Sequence, residues 1–566
     1  MDMYSFLRAN GPLLAVIGIL VSITAIIIVV NRYLQASPSS RKAIITAIAI
    51  PFVFLSMSTF AACNSVDNAG SMGTPTPTHT PVPTVPSVPS SSSSPQPVIA
   101  NAVYVSPGDN LQQKASNLSA GKTLVLRDGF YANQSLIVEH VHGTATAPIT
   151  IMAEHDGKAI IDGGGPSGRT VWIEHSSYII VQGIVAQHGQ EPVVVYGPAD
   201  HIIIRRVTAH DAAPGNYHVF DIEFNATNVL VEDCAGWGRG RYIFVAYKSS
   251  DVTFRRDWAY WEHQENFPDA PRADYSAYSA SNVTFENVIG MGAYPRPGIN
   301  DENSYNAVYE TATDSTPTEH VKYIGDIFYN NMDGIYFNES SDSNPEVINS
   351  YIETPGGMPG AAGSTTNETG TGFTWWNHHS GSITNSTFTN TPVAASLPNG
   401  STTITNTVFY KNDTAINGSL SHSYSDFWQN GSIGTDLVST DKQVDPGYDT
   451  NKYGRGAYLF IPPNSPLKHA GQNGQDIGAN IIYESVDGDL TSTPLWPWPM
   501  EDRIKAERGI SVTWASSGGI WKTLDGVYPA AALSAPSTSY LLASPLFPTL
   551  LSIIREEYIT RQRMKR

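Results

Sequence analysis

The stretch Asn228-Val-Leu-Val-Glu-Asp233 decides the fold of this chain, because variants of it recur along most of the sequence. Each variant starts with a polar or aromatic side chain, alternates apolar with other residues, and ends near a polar, basic or glycine residue. Clear copies begin at Tyr178, His201, Asn228, Asp251, Asn282 and His320, and weaker copies begin at Asn344, Ser380, Ser401 and Ser421. Neighbouring copies are 20 to 38 residues apart. This pattern predicts a solenoid, because one coil cannot bury its own apolar face and stacking the coils forms the core.

The composition of the 566 residues agrees with a body of short strands and turns. Charged residues make up only 15 %, whereas the chain has 47 glycines and 38 prolines, which is unlike a helical protein. The formal net charge of −18 argues against a nucleic-acid partner, since phosphate binding needs a basic face. Cys63 and Cys234 lie in unlike contexts and do not predict a disulfide framework. Cys234 belongs to a strand motif and is expected to be buried.

Residues 1–63 are predicted to attach the chain to a membrane. The apolar runs at 13–30 and 43–62 are each long enough to span a bilayer. The loop between them carries Arg32, Arg41 and Lys42, and this excess of basic residues places the loop in the cytoplasm. The second helix would then deliver everything after it to the outside.

The second apolar run also admits a different interpretation, as a signal sequence. Phe60-Ala-Ala-Cys63 resembles a bacterial lipoprotein signal, in which the cysteine is lipidated and becomes the mature N-terminus. Both alternatives stay open, and both tether the body outside the cytoplasmic membrane. Residues 64–98 are rich in Ser, Thr, Pro and Val, which predicts an extended spacer between the membrane and the body.

Motifs mark both ends of a body that we assign to residues 99–482. Pro107-Gly-Asp109 and Ala147-Pro-Ile-Thr-Ile151 open it, and Asn464-Ser-Pro466 followed by Asp476-Ile-Gly-Ala479 closes it. These motifs resemble those of the pectin-lyase-like right-handed parallel β-helix superfamily, in particular its chondroitinase-B-like and alginate-lyase-like branch. The resemblance implies an all-β, right-handed parallel β-helix. It does not imply one activity, because this fold hosts lyases, hydrolases, epimerases and binding proteins.

Two further features of the repeat predict structure. Asparagines recur at one register of the motif and are expected to point inward and to bond one another along the axis: Asn287, Asn349, Asn385 and Asn406. Residues 483–566 break the repeat. We expect them to form a cap over the open end of the solenoid, followed by a tail, since exposed strand edges invite aggregation.

The longest intervals between motif copies, at 251–282, 282–320 and 344–380, predict the binding face, because solenoid insertions usually fall on one face. They hold aromatic side chains next to basic residues and histidines, a combination that suits carbohydrate. The candidate substrate-binding residues are Trp258, Trp261, His263, Arg296, Trp375, Trp376 and His378.

A second strand precedes most motif copies, and stacking is expected to align its outward residues in a ladder. Such a ladder could support β-elimination on an acidic polysaccharide, with Lys248 as the base and Arg241 as the clamp for the uronate carboxylate. Glu223 and Glu310 are the candidate ligands of Ca²⁺. The resemblance implies similar chemistry, since the base in this superfamily is often Lys or Arg and Ca²⁺ or Arg neutralises the carboxylate.

Other functions remain open. Lys248-Ser-Ser-Asp251 has Asp where chondroitinase-B-like lyases have Asn in Lys-Ser-x-x-Asn, and no Arg-His-Gly follows it. A hydrolase would instead use a carboxylate pair, either Asp221 with Glu223 or Asp301 with Glu302. A non-catalytic surface, adhesion or carbohydrate-binding solenoid is the third alternative. The sequence thus predicts a membrane-tethered β-helix that binds acidic polysaccharide, with lyase chemistry as the enzymatic hypothesis.

Overall fold

The computed structural model describes residues 102–261, 272–293, 305–313, 316–338, 344–354, 370–375, 380–397, 402–418, 420–496 and 498–507. Within them the chain winds through three parallel sheets in turn, which we call sheets A, B and C. Every strand of a sheet pairs in parallel with the strands one coil before and one coil after it. The predicted all-β parallel solenoid is therefore confirmed.

Sheet A contains the motif copies that recur in the sequence. Its described strands are β1 Val103–Val105, β2 Thr123–Leu126, β5 Ile149–Ala153, β8 Ser177–Gln182, β11 Asp200–Arg205, β14 Thr227–Glu232, β17 Ser250–Arg255, β20 Ser281–Glu286, β23 Glu319–Ile324, β26 Glu346–Ile348, β29 Ser382–Thr384, β32 Thr403–Thr405 and β35 Ser421–Ser423.

Sheet B follows sheet A in each coil. Its described strands are β3 Gly129–Ala132, β6 Ala159–Asp162, β9 Ile184–Gln187, β12 Thr208–His210, β15 Ala235–Gly238, β18 Trp258–Trp261, β21 Ile289–Met291, β24 Ile327–Tyr329, β27 Tyr351–Glu353, β30 Thr387–Thr389, β33 Val408–Tyr410 and β36 Asp426–Trp428.

Sheet C completes each coil. Its described strands are β4 Leu136–Glu139, β7 Val171–Glu174, β10 Val193–Tyr196, β13 Phe220–Glu223, β16 Tyr242–Tyr247, β19 Arg272–Tyr278, β22 Tyr305–Thr311, β25 Asp333–Phe337, β28 Thr371–Trp375, β31 Val393–Leu397 and β34 Thr414–Gly418.

The core lies inside the three sheets and is built from equivalent residues of successive coils. Side chains alternate between the two faces of a strand, so one register position fills the interior along the axis. In sheet A, for example, Ile202 pairs with Val229 and Val229 pairs with Val252, and all three side chains are buried. Larger side chains stack in the same way, as Phe254 does on Phe285 with ring centroids 5.4 Å apart.

The turn from sheet A to sheet B links neighbouring coils through side chains. The residue that directly follows each sheet A strand, from β8 onward, adopts a left-handed backbone. The side chain of the next residue points into the interior of the coil. The inward side chain accepts a hydrogen bond from the backbone N–H at the equivalent position of the preceding coil. Cys234 N donates to Asp257 Oδ1 over 2.8 Å, and Asp326 N donates to Ser350 Oγ over 3.2 Å. Cys234 is buried here, as the strand motif predicted.

After Trp428, where the last described strand of the three sheets ends, the chain is mostly irregular. It contains the short helix α2 Thr450–Tyr453, 3-10 turns at Gly454–Leu459 and Gln472–Gly474, the antiparallel strands β37 Tyr483–Val486 and β38 Asp489–Pro494, and the helix α3 Glu501–Glu507. A five-residue helix, α1 Leu111–Ala115, lies near the start of the solenoid. No helix among the described residues has the length and hydropathy to cross a membrane. The apolar runs at 13–30 and 43–62, with Cys63, lie outside the described residues.

Residues 472–507, which we call the C-terminal strap, run back along the outside of sheet B against the order of the coils. Gln472 N donates to Asn406 Oδ1 over 2.7 Å, and Ser485 N donates to Asn287 Oδ1 over 2.6 Å. Asn287 lies four coils before Asn406 in the solenoid. Arg503 then reaches the carbonyl oxygen of Ile184 over 2.7 Å. Apolar strap residues such as Trp496, Met500 and Ile504 bury the outer face of sheet B.

The strap corrects two predictions. The asparagines of the repeat do not stack inside the coils. Asn287, Asn349, Asn385 and Asn406 occupy the left-handed turn position, with φ of 50–54°, and their side chains bond the strap. The described part of the region predicted as an end cap, residues 483–496 and 498–507, lies along the flank instead. The last described strand of the three sheets ends at Trp428, well before the predicted boundary at residue 482.

Replacing Asn349 by glycine tests how the strap is held. Asn349 Oδ1 accepts from Asn480 N over 2.6 Å and its amide donates to Asn480 O over 3.3 Å. Glycine keeps the left-handed backbone but leaves these groups without partners, so we expect a loss of about 1–3 kcal/mol in urea unfolding. The matched control is Asn390→Gly, since Asn390 has φ 51° and bonds Glu353 within the coils. An equal loss in both variants would contradict the role of the strap.

The pair His422 and Asp441 predicts a pH dependence of stability. Their side chains are almost fully buried, with Nδ1 3.0 Å from Oδ2. Hydrogen bonding to Asp441 raises the pKa of His422. A raised folded pKa contributes stability that is complete below the unfolded value of about 6.5 and is lost as the pH rises through the folded value. His422→Asn should therefore lower the free energy of unfolding more at pH 5.5 than at pH 8.5, and an equal difference at both would contradict the prediction.

Candidate functional site

The candidate site lies on the outward face of sheet C, around β13. Phe220 and Ile222 point into the core, so the alternating residues Asp221 and Glu223 both point outward. On the neighbouring strands, Asp221 pairs with Val194 and Val245, while Glu223 pairs with Tyr196 and Tyr247. Carboxylates of one strand thus share a surface with aromatic side chains of the next coils.

An acidic cluster with one histidine forms at the start of these strands. Glu191 stands two residues before Val193, and His218 stands two residues before Phe220, which pairs with Val193. Equivalent positions of adjacent coils therefore bring Glu191 and His218 together. With Asp221 they offer three possible ligand atoms within 4.8 Å of one another. All three residues are buried.

The cluster holds more negative charge than its surroundings accommodate. Burial raises the pKa of Glu191 to about 7. Burial and the neighbouring Glu191 and Glu174 raise the pKa of Glu223 to about 8. Burial, with Glu223 and Glu191 close by, also raises the pKa of Asp221 well above its usual value. Perturbed carboxylates that crowd together are typical of functional sites, where a proton or a cation supplies the missing charge.

Two atoms of the cluster are buried without a hydrogen bond from any residue in the described part of the chain. They are Nδ1 of His218 and Oδ1 of Asp221. Burial and the nearby Arg241 lower the pKa of His218 to about 3, so its imidazole is neutral at physiological pH. An unpaired buried polar group is costly, by about 1–3 kcal/mol. The cluster is therefore suited to receive a further group.

Arg241 and Lys248 lie at the two ends of β16. The Arg241 guanidinium lies 4.9 Å from the ring centroid of Tyr242, which stacks on His218 at 5.0 Å. Lys248 follows β16, with its Nζ 5.2 Å from the ring of Tyr247, the strand partner of Glu223. Six strand residues separate the two basic residues, about 20 Å of backbone. The structure thus places Arg241 beside the acidic cluster and Lys248 at the opposite edge, rather than side by side.

The predicted Ca²⁺ pair of Glu223 and Glu310 is wrong. Glu310 occupies the register of Ala277, whose side chain is in the core, and is itself fully buried. It accepts a hydrogen bond from Tyr323 Oη over 3.0 Å. Glu223 points outward from a strand three coils earlier. The two carboxylates lie on opposite faces of sheet C, so one ion cannot bind both.

The two described tryptophans of the predicted sugar-binding set are also placed differently. Trp261 is 1 % exposed and donates from Nε1 to the Gly240 carbonyl over 2.8 Å. Trp258 is 4 % exposed, in the apolar cluster that the strap completes. Neither indole offers a face to a sugar. Trp375 ends β28, but its side chain lies outside the described residues, as do His263, Arg296, Trp376 and His378.

A row of partly exposed aromatic side chains on sheet C was not predicted from the sequence. This aromatic strip consists of Trp172, Tyr196, Phe224, Tyr247 and Tyr278. Successive ring centroids are 5.8, 5.2, 5.2 and 4.9 Å apart. The strip spans four coil steps, about 19 Å, and passes directly beside Glu223. Its signal in the sequence is one aromatic residue in each successive sheet C strand or just after it, at or directly after the strand end in every case but Trp172.

Asp251, which stands where the Lys-Ser-x-x-Asn motif has Asn, has a structural role. Asp251 is a left-handed residue in β17 of sheet A, with φ 55°. Its Oδ1 accepts a hydrogen bond from the Asn282 amide over 3.0 Å, and Asn228 bonds Asp200 in the same way over 2.8 Å. Asp and Asn both tolerate this backbone. The residue therefore joins neighbouring coils of sheet A.

Comparisons with known proteins agree with the architecture. The sequence profile of the chondroitinase B family matches residues 105–200. No curated protein sequence matches the chain. Together with the three parallel sheets, the profile match confirms the resemblance to pectin-lyase-like parallel β-helix proteins. The matched residues end before β13, so they include Glu191 and most of the strands preceding it but not Asp221, Glu223 or Lys248.

Solved structures to which the chain is similar include a pectate lyase, with 14 % identity and a TM-score of 0.39 over 67 % of this chain and 95 % of that one. A mannuronic acid-specific polysaccharide family 6 lyase from the human gut microbiota has 14 % identity and a TM-score of 0.40, over 64 % and 96 %. XylC in complex with xylose has 10 % identity and a TM-score of 0.42, over 61 % and 87 %.

Substituting Asp221 by asparagine should stabilise the metal-free protein. The change removes one buried negative charge from a crowded cluster, and one unit of pKa shift corresponds to about 1.4 kcal/mol. We expect the free energy of unfolding in a chelating buffer at neutral pH to rise by about 1 kcal/mol or more. Asp441→Asn is the control, because that buried aspartate has an ion-pair partner and its loss should destabilise. Destabilisation in both variants would show that the cluster is not strained.

Proposed function

We propose that this chain binds acidic polysaccharide on the outward face of sheet C and cleaves it by β-elimination. The observation that carries the proposal is the buried cluster of Glu191, His218 and Asp221, which shares the outward face of sheet C with Glu223, the aromatic strip and Lys248. The similarity of residues 105–200 to the chondroitinase B family supports a uronate-containing glycan as the substrate class.

The aromatic strip supplies the binding surface in this proposal. Its rings are partly exposed, and flat apolar rings pack well on sugar faces. Two cations accompany the strip: the Arg169 guanidinium lies 3.8 Å from the ring centroid of Trp172, and the Lys248 ammonium lies 5.2 Å from that of Tyr247. An anionic polymer would therefore meet positive charge along the groups that hold its rings. A neutral glycan would gain less from this arrangement.

The acidic cluster fits a divalent cation. Its carboxylate oxygens are hard donors, and one oxygen of Asp221 lacks a hydrogen bond within the described residues. We propose that Asp221, with its neighbours in the cluster, holds the ion. When bound, the ion would neutralise the uronate carboxylate next to the base Lys248. We do not assign this role to Arg241, because it lies at the opposite end of β16 from Lys248.

Lys248 is the base in this proposal. Its amine takes the proton from the carbon next to the uronate carboxyl, and the electron pair forms a carbon–carbon double bond. The bond from the neighbouring carbon to the glycosidic oxygen then breaks, and that oxygen receives a proton. Each cleavage leaves one unsaturated uronate at the new non-reducing end. The position beside Tyr247 and one residue beyond the register of Glu223 supports this role.

The direct test is incubation of the full chain with alginate, pectate and chondroitin sulfates, with and without added divalent cation. Ultraviolet absorbance should rise as the unsaturated product forms. Retention of a polysaccharide with no product would contradict the enzyme and favour a binding module. New reducing ends without ultraviolet absorbance would indicate hydrolysis instead.

Lys248→Ala should lower the lyase rate by about 10²–10⁴-fold, the usual contribution of a general base. Lys411→Ala provides a closely matched control. Lys411 has the same left-handed backbone, with φ 57° against 49°, and its Nζ lies 4.9 Å from the preceding Tyr410 ring. It follows a strand of sheet B, away from the site. Equal rates for the Lys248 variant and the natural chain would refute the assignment of the base.

We propose that the body acts outside the cytoplasmic membrane, held there by residues 1–63. The support is the pair of apolar runs at 13–30 and 43–62, with basic residues between them, and the Ser/Thr/Pro-rich spacer at 64–98. Extracellular acidic polysaccharides would be accessible to a body tethered in this way.

A further inference from the structure

We infer that Glu191, His218 and Asp221 form a mixed nitrogen and oxygen site that selects a first-row transition-metal dication, with Zn²⁺ as the reference ion, over Ca²⁺. The inference rests on the proposed function for what the ion does to a substrate, and on donor geometry alone for its binding. It differs from the oxygen-only site that the sequence suggested, because an imidazole belongs to the donor set.

The three side chains converge because of the coil register. Glu191 and His218 occupy equivalent positions before paired strands, and Asp221 lies on the outward face three residues after His218. Their ligand atoms lie within 4.8 Å of one another. A dication with bonds of about 2.0–2.2 Å requires its ligand atoms within about 4 Å of one another. Small side-chain rotations are therefore enough to close the site.

The donor types favour a transition metal. Ca²⁺ takes six to eight oxygen ligands and has little preference for nitrogen. An imidazole with carboxylates suits Zn²⁺ and its neighbours in the first transition row. Three protein ligands with a fourth position open is also the usual arrangement of catalytic zinc sites. The donor set thus distinguishes between the two classes of ion.

The histidine is prepared for metal binding. Its side chain is more than nine-tenths buried, and Nδ1 has no hydrogen-bond partner among the residues that the structure describes. The Tyr242 ring, with an interplanar angle of 7°, stacks on the imidazole and fixes its plane. Arg241 lies on the same tyrosine, with its guanidinium 4.9 Å from the ring centroid.

A second cluster in the same chain provides an internal contrast. Asp128, Glu154 and His155 also offer three ligand atoms within 4.8 Å. There, His155 Nδ1 lies 3.0 Å from both oxygens of Asp128, and Glu154 pairs with Arg127 at 3.0 Å. These groups are solvent-exposed and already neutralise one another. The same donor types therefore give a satisfied surface network at one place and an unsatisfied buried site at the other.

The test is metal binding to the chelator-treated full chain, measured by titration calorimetry with Zn²⁺ and with Ca²⁺. We expect one Zn²⁺ site at least 100-fold tighter than any Ca²⁺ site. His218→Phe, which keeps the ring stacked on Tyr242, should weaken Zn²⁺ binding at that site at least 100-fold, and His155→Phe should not change it. Asp221→Asn is the second variant, in case the phenylalanine variant does not fold.

A spectroscopic readout separates ligation from indirect effects. Co²⁺ bound in place of Zn²⁺ should give visible absorption bands that shift or disappear in His218→Phe and persist in His155→Phe. Tighter Ca²⁺ than Zn²⁺ binding, or unchanged Zn²⁺ binding in both site variants, would overturn the inference. If Zn²⁺ binds as expected but no polysaccharide is cleaved, the proposed function fails and the metal site stands. If the chain cleaves polysaccharide but requires Ca²⁺ alone, the proposed function stands and the Zn²⁺ site fails.

Discussion

The structure depends on one backbone constraint, which is that from β8 onward each described coil leaves sheet A through a single left-handed residue. That position is held by Gly183, Arg206, Asp233, Arg256, Asn287, Gly325, Asn349, Asn385, Asn406 and Tyr424, with φ between 50° and 75°. This backbone is unfavourable for most side chains. It persists because it turns the next residue inward, where residues such as Asp257 and Ser350 join one coil to the next. The parallel register, the stacked core and the alignment of Glu191 with His218 all follow from repeating the bend at one place.

The sequence predicted the parts of the fold that the alternation of strands determines. Ile202, Val229 and Val252 alternate with polar residues, so the motif copies identified sheet A and the solenoid. The direction of the asparagines could not be read in the same way. A left-handed residue turns its side chain outward, and the group that bonds Asn349 comes 131 residues later in the chain. No local pattern contains that contact.

The site was predictable in part, for a related reason. Asp221, Glu223 and Lys248 were found because they lie in or next to regular strands. Glu310 was misplaced because a shift of one residue moves a side chain to the other face of a sheet, and the intervals before β19 and β22 vary in length. Glu191 and His218 lie in turns outside the repeat, so only the three-dimensional register brings them together. Their crowding with Asp221 lowers the free energy of unfolding, as is common where a protein keeps strained groups for function.

The C-terminal strap changes how such a stack of coils comes apart. A solenoid whose units touch only their neighbours behaves as a one-dimensional chain and can fray from either end. Here the strap forms hydrogen bonds with Asn406 at one end of its path and with Ile184 at the other. Coils that are far apart are therefore held by the same segment. Loss of the strap would release contacts along sheet B from the coil of Asn406 to the coil of Ile184. The strap is synthesised after every coil that it binds, so it cannot cover the outer face of sheet B until synthesis has passed residue 507. Cooperativity between distant coils therefore arises only after the strap has been made.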